Sequence, residues 1–421
     1  MLNYFIEYNR YLNVLGILVI TGIAYLFSHN RKAIKVRVLI NALFLLFVFA
    51  LGMLGTTWGK YIVQAIAHAA EKLYVFADKG IDFMFGQLAN DQGPWGFVFA
   101  IKVLPVIIFV GALTGLLFHW HIIQRCITGL NWIIRPVLGT SGVETMSAIA
   151  NSILGQTEAA LFINNYIHVM TRSELFVLMC SGMAAISASV LIIYARIGIP
   201  AVHVLTATIM SIPASIFIAK ILVPETEKSL AATNPNLEFE KKTTNIFDAI
   251  SRGTFDGLKL AVGVAAMLIA FLALLAMADY MLALMGYYIN LLFTYFSLAF
   301  QLPELSIATI LSYVFAPFAY LLGLTGTELW QAGKLLGIKV SVNELVAFNE
   351  LVKLHVSPRS FIILTYALCG FSNFSCIGIQ IGMIGALAPE KKHTMTQLGL
   401  YAVLGSSLAN LLSAMIVSLL L

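Results

Sequence analysis

An all-helical integral membrane protein is the fold class predicted by this 421-residue sequence, and three observations predict it. Hydrophobic residues make up 60% of the chain and charged residues 11%, against about 45–50% and about 25% in soluble domains. Apolar runs long enough to cross a hydrocarbon core of roughly 30 Å as helix, about 20 residues each, recur eight times. Two further stretches carry polar residues inside apolar sequence, as re-entrant hairpins do, because irregular backbone at membrane depth survives only against protein or a water-filled cavity. The prediction is therefore eight transmembrane helices, two re-entrant hairpins and interfacial helices.

The spans are read at 10–28, 38–55, 95–118, 174–195, 200–222, 258–285, 360–386 and 395–420. The first follows Glu7 and Arg10 and has no small-residue cleavage site after it, so it reads as a retained helix. Between spans two and three, Lys60, Gln64, His68 and Lys72 recur every fourth residue while Ile62, Val63, Ile66, Leu73 and Val75 fall elsewhere. That spacing predicts an amphipathic helix over about 60–82 lying in the interface. The most polar region, 223–257, reads as a solvated linker followed by an interfacial segment ending near Asp256, and it divides the chain into halves. The apolar stretch 306–325 reads as broken by Pro317 and Gly323 and is assigned to the second hairpin, about 305–350, and not to a ninth span. The first hairpin is read at about 140–168.

Basic residues collect in the odd-numbered connections: Arg31, Lys32, Lys35 and Arg37 after span one, Arg125 and Arg135 after span three, Lys228, Lys241, Lys242 and Arg252 after span five, Lys391 and Lys392 after span seven. By the positive-inside rule these connections are cytoplasmic and both termini lie outside, in a multi-pass protein of the cell inner membrane. The net charge of +5 shows no basic patch with interleaved aromatics, so nucleic acid is not a predicted partner. Cys126, Cys180, Cys369 and Cys376 form no CxxC pair and the eight histidines no HExxH spacing, so neither zinc site nor disulfide framework is predicted, nor any cofactor.

The first polar run, GQTEAALFI at 155–163, sets Gln156, Thr157 and Glu158 side by side; the second, VSVNELVAF at 340–348, contains Asn343 and Glu344. From Glu158 to Ser187 is 29 positions, and from Glu344 to Asn373 is again 29. Matching interrupted segments in two halves point to inverted repeats that meet at a midplane binding site. A carboxylate at membrane depth costs at least about 2.5–3.5 kcal/mol on insertion scales, which makes function its default reading. The structural alternative, a pair with Arg or Lys or a helix cap, lacks a basic residue within a turn of Glu158 on its own segment. Carboxylates accept from ligand O–H and N–H, and Gln156 and Asn373 both donate and accept, so an uncharged ligand rich in hydroxyls and amides suits the set. Ser187, Ser189 and Ser375 read equally well as helix-packing residues.

GQTEAALFI, NELVAF (343–348) and CGFSNFSCIGIQIG (369–382) resemble the signature stretches of the concentrative nucleoside transporters, and NDQGPWGFVFAIKVLPVIIFVGALTG (90–115) resembles their third span. The similarity runs over nearly the whole chain. It implies a homotrimer whose scaffold, here 1–118 and 258–300 (spans one, two, three and six), holds a mobile transport domain, 119–222 and 301–421, made of the hairpins with spans four, five, seven and eight. It implies import of nucleosides coupled to sodium or, in some bacterial members, to protons. Carried over by position, Gln156, Thr157 and Glu158 face the nucleobase, and Val190 packs on it. Glu344, Asn373 and Cys376 hold the ribose, and Phe371 supplies an apolar wall. The family's sodium site falls at Asn151, Leu154, Ala185 and Ile186, with main-chain carbonyls as ligands at Asn151, Leu154 and Ile186.

Three positions depart from the family pattern: Ala160 for a common proline, Cys376 for a serine, and Ala185 for a hydroxyl residue of the sodium site. Sodium symport is the expectation, with proton symport as the alternative. From other classes, an intramembrane enzyme using Glu158 and Glu344 as an acid–base pair lacks a third catalytic group, and a channel would not need two ligand-reading sets.

Overall fold

The computed structural model describes residue 4 and residues 7–90, 93–96, 98–229, 243–298 and 300–421. The middle of the expected linker, with Lys241 and Lys242, lies outside the described residues, as do Asp91, Gln92 and Phe97 of the third-span resemblance. The regular elements among the described residues are all helices, with no strand among them.

In chain order the main helices are α1 Arg10–Leu26, α2 Val36–Ala50 with a π turn over Leu51–Gly55, and α3 Thr57–Phe85. One turn at Phe99–Lys102 leads into α4 Leu104–His119, followed by α5 Ile122–Leu138. Next come α6 Gly142–Leu154, α7 Gln156–Phe162, α8 Arg172–Ala184, α9 Ala188–Arg196 and α10 Ala201–Leu222. The second half has α11 Ile246–Tyr295, α12 Ile307–Leu321, α13 Gly326–Ser341, α14 Glu344–Leu351, α15 Pro358–Leu368, α16 Phe374–Leu387 and α17 Lys392–Leu420.

Local sequence explains many of the starts. Ser141 with Glu144, and Thr171 with Glu174, form reciprocal capping boxes at α6 and α8. Asn245, Ser306, Asn343, Ser357 and Asn373 each accept a backbone N–H of the helix that follows.

Six helices among the described residues are long and apolar enough to cross a membrane. Two of the eight expected spans, 174–195 and 360–386, are each interrupted: α8 stops at Ala184 and α9 begins at Ala188, while α15 stops at Leu368 and α16 begins at Phe374. A hydropathy window averages over these gaps, because each is only a few residues long and flanked by apolar helix. Two other expectations are corrected. The segment ending near Asp256 is not separate from span six, since α11 runs unbroken from Ile246 to Tyr295. Nor does Pro317 break the 306–325 stretch; α12 continues through it to Leu321, stops before Gly323 at φ +85°, and folds back along α13 as a helix of its own.

The interior is built on α10 and α17, whose spans are 78% buried, against 6% for Leu272–Tyr295 of α11. Those two helices pack on each other, and α8 packs on both. Near one end Lys220 of α10 forms a buried ion pair with Glu144 of α6 and donates to Ser173 Oγ of α8 at 2.9 Å, so three elements share one charge pair. Outside this core α4 and α11 approach backbone to backbone. A Cβ on Gly115 would come within 2.5 Å of Ala249 O, and one on Gly257 within 2.7 Å of Ile107 O, the close approach that small residues allow between membrane helices.

Candidate functional site

Two helix tips and two helix gaps meet around one cavity. The first tip is Gly155 between α6 and α7, at φ +95°; a Cβ there would stand 2.7 Å from Ser187 Cβ, so the tip lies directly on the gap between α8 and α9. The second tip is Asn343 between α13 and α14, where Oδ1 accepts from Val346 N at 2.9 Å. Asn373 closes the gap between α15 and α16 by accepting from Cys376 N at 3.0 Å.

The cavity measures about 300 Å³, and all eight predicted substrate residues line it: Gln156, Thr157, Glu158, Val190, Glu344, Phe371, Asn373 and Cys376. The opposite wall is apolar, with Val103, Leu104 and Ile107 on the α4 side, and carries Lys259 of α11.

The polar groups fall into two sets. In the first, Thr157 Oγ1 donates to Glu158 Oε2 at 2.7 Å, and Gln156 is fixed from both ends. Its Nε2 donates to Cys376 Sγ at 3.3 Å, and its Oε1 accepts from Gln380 Nε2 at 3.0 Å. In the second, buried Glu344 accepts from Tyr194 Oη at 2.9 Å on one oxygen and from Asn373 Nδ2 at 3.3 Å on the other. A carboxylate has about four acceptor sites, so the two given to protein leave others facing the cavity. Asn373 is less free than its amide suggests, because its Oδ1 also accepts from Ser375 Oγ at 2.6 Å. That oxygen is committed to the helix cap, and only the Nδ2 side is turned to Glu344.

Tyr194 and Gln380 are the residues that motif reading missed. Tyr194 lines the cavity and packs at 4.7 Å on Phe348, the rings tilted by 52°, while Gln380 orients Gln156. Each follows a predicted residue by four positions, Val190 and Cys376 respectively, so each lies one helical turn further on the same face. That register is the signal that would have found them.

The predicted ion residues lie behind the first tip. Asn151 is fully buried on α6; its Nδ2 donates to Leu178 O at 3.0 Å and Ser181 Oγ at 2.8 Å, and its Oδ1 has no partner among the described residues. Leu154 ends α6, and Ala185 and Ile186 occupy the α8–α9 gap; all three are buried. A Cβ on Gly182 would meet both Asn151 Oδ1 at 3.3 Å and Gln380 Nε2 at 2.8 Å, so this orphan oxygen and the amide that holds Gln156 flank the same glycine. A buried acceptor lacking a donor, next to unwound backbone, fits a small cation with oxygen ligands. Ala185 offers no hydroxyl to it.

Comparison with known proteins gives the family. Residues 15–88 match the family described as Na+ dependent nucleoside transporter N-terminus, 203–418 the corresponding C-terminus, and 100–201 the family described as nucleoside recognition. The nucleoside permease NupC of Helicobacter pylori is 37% identical over 97% of each chain. A structure of CNTnw in an inward-facing, substrate-bound state superposes with a TM-score of 0.89 at 34% identity, covering 97% of each chain. CNTnw carrying substitutions, in an outward-facing state, superposes at 0.90 and 34% identity over 97% of this chain and 98% of that one. These are permeases and transporters, which sets aside the intramembrane-enzyme alternative on Glu158 and Glu344: the chain belongs to the concentrative nucleoside transporter family.

Proposed function

We propose that this chain imports nucleosides across the cell inner membrane, driven by a co-transported cation, with sodium favoured. The observation that carries the reading is the division of one cavity into two polar sets on separate tips. Gln156, Thr157 and Glu158 form a set suited to the edge of a nucleobase, and Glu344, Asn373 and Cys376 one suited to ribose, with Val190 and Phe371 as apolar walls. At about 300 Å³ the cavity is at the small end of ligand pockets, roughly 300–1,000 Å³, as a single small solute requires. A ligand with only one end leaves buried groups unpaired, at about 1–3 kcal/mol each.

In this reading α6–α7 and α13–α14 are re-entrant hairpins, and the element order hairpin, interrupted helix, buried helix occurs twice as inverted repeats. The two interrupted helices and the six long ones make eight crossings, with both termini outside. Residues 119–222 and 301–421 form the transport domain, which moves against a scaffold of 1–118 and 258–300 in a homotrimer; the exposed apolar face of α11 supplies surface for lipid and for neighbouring copies. Asn151 Oδ1 and main-chain carbonyls at Leu154 and Ile186 hold sodium.

The test is uptake of labelled uridine and adenosine into proteoliposomes under imposed sodium or proton gradients. Saturable, competable uptake driven by inward sodium is the expected result. Uptake that ignores sodium and follows protons would leave the importer reading intact and move the coupling to a carboxylate such as Glu158 or Glu344. Unsaturable flux would favour a channel and overturn the reading.

A further inference from the structure

Both interrupted helices end in carbonyls that have no further turn to donate to them, which concentrates partial negative charge where each helix stops. In the first half the Asn151 oxygen lies there without a partner. The second half is different. Lys339 of α13 precedes its tip residue Asn343 by four positions, as Asn151 of α6 precedes Gly155. The two side chains therefore take the same place, one turn before a hairpin tip.

Lys339 is 2% exposed, and no described carboxylate pairs with it. Its Nζ donates to neutral oxygens: Ala367 O, in the last turn of α15, at 2.9 Å and Asn410 Oδ1 of α17 at 2.8 Å. Asn410 in turn donates through Nδ2 to Ala184 O, the last residue of α8, at 2.7 Å. One amino group thus reaches the stopping points of both interrupted helices, directly in one case and through a single amide in the other. The junction has no spare room: Gly370, at φ +142°, would place a Cβ 2.6 Å from both Ala184 O and Asn410 Oδ1. A lysine in such a place is costly unless it has a task. Carbonyl and amide oxygens beside unwound backbone are the ligands that transporters offer to a sodium ion.

We propose that Lys339 is a tethered cation, standing in the second half where the coupling ion stands in the first. The inference rests on the transporter reading above. It makes the halves unequal by design. The end of the second interrupted helix is held by an amine tethered to the chain, the end of the first by an ion that comes and goes, and one cation moves with each nucleoside.

The first measurement uses the unaltered chain. In proteoliposomes, the voltage that reverses nucleoside flux reads the charge moved per nucleoside, and the proposal requires about one. The second uses Lys339→Asn, which copies the first-half residue into the second half. Uptake at ordinary sodium should fall by about tenfold or more. Raised sodium should restore it, with the cation-activation slope steepening from about one toward about two. A wild-type count near two, or a Lys339→Asn variant with wild-type uptake and slope, overturns the proposal. If the variant does not fold, the wild-type count decides alone. No wild-type uptake under either gradient would instead overturn the transporter reading, and the inference with it.

Discussion

Replacing Glu344 by glutamine keeps the shape and removes the charge, and its consequence can be worked through contact by contact. With the amide oxygen toward Tyr194, the new NH₂ faces Asn373 Nδ2, and two donors meet where 3.3 Å now separates donor from acceptor. Asn373 cannot turn over to relieve this, since its Oδ1 caps Cys376 N at 3.0 Å and accepts from Ser375 at 2.6 Å. That conflict costs about 1–3 kcal/mol, but free and ligand-bound protein share it, so it lowers stability more than affinity. Affinity falls through the ligand hydroxyls. Bonds to a charged acceptor contribute about 1.5–3 kcal/mol each against about 1 for neutral ones, so losing one and weakening another costs about 3 kcal/mol. Uridine binding should therefore weaken by about 10²-fold, at about 1.4 kcal/mol per factor of ten. Calorimetry with uridine, and thermal unfolding of the same detergent-solubilised sample, separate the two effects. A Kd within about threefold of wild type, in a variant that folds, would refute the ribose role of Glu344.

Tyr194→Phe removes the donor to Glu344 Oε1 and leaves the ring on Phe348, so uridine affinity should fall by about tenfold with little change in Tm; no change would mean that the hydroxyl does not orient the carboxylate. Cys376→Ser puts a stronger, though shorter-reaching, acceptor in place of the sulfur that now accepts from Gln156 Nε2 at 3.3 Å and should preserve or tighten binding, whereas a loss beyond about tenfold would show that the sulfur is needed for packing. Ala185→Ser adds a hydroxyl in the α8–α9 gap and should lower the sodium concentration for half-maximal uptake. An unchanged sodium curve would remove Ala185, and with it the ion site drawn here, from the coupling mechanism.

The features legible in the sequence and those that were not differ in range. Hydropathy finds α1, α2, α4, α10 and α17 because lipid solubility is a summed property of about 20 neighbours. It joins α8 to α9 and α15 to α16 because the gaps are made by single residues, Ser187 at one and Gly370 with Asn373 at the other, whose effect depends on what they touch. Gly370, at φ +142°, has no room for a Cβ because Ala184 O and Asn410 lie against it, and Asn410 is 40 positions away along the chain. Pro317 misled for the opposite reason: a proline inside a membrane helix is tolerated where neighbours re-satisfy the backbone, and α12 has α13 along its length.

At the site, residue types were readable and their assignments to partners were not. The two carboxylates stood out by their cost in apolar sequence, yet their shared spacing of 29 does not mark equivalent positions, since Glu158 is the third residue of α7 and Glu344 the first of α14. Anchored on the tips, the correspondence runs from Gly155 to Asn343 and therefore from Asn151 to Lys339, a neutral amide against an amine. No motif pairs those two, because similarity between the halves is sought among like residues. What they share is a task set by geometry: each sits one turn before a tip, beside a helix that stops inside the protein and whose last carbonyls require positive charge. A recurrent physical requirement met by two different residues is invisible to sequence comparison and becomes plain only when the donors and acceptors at both helix ends are accounted for.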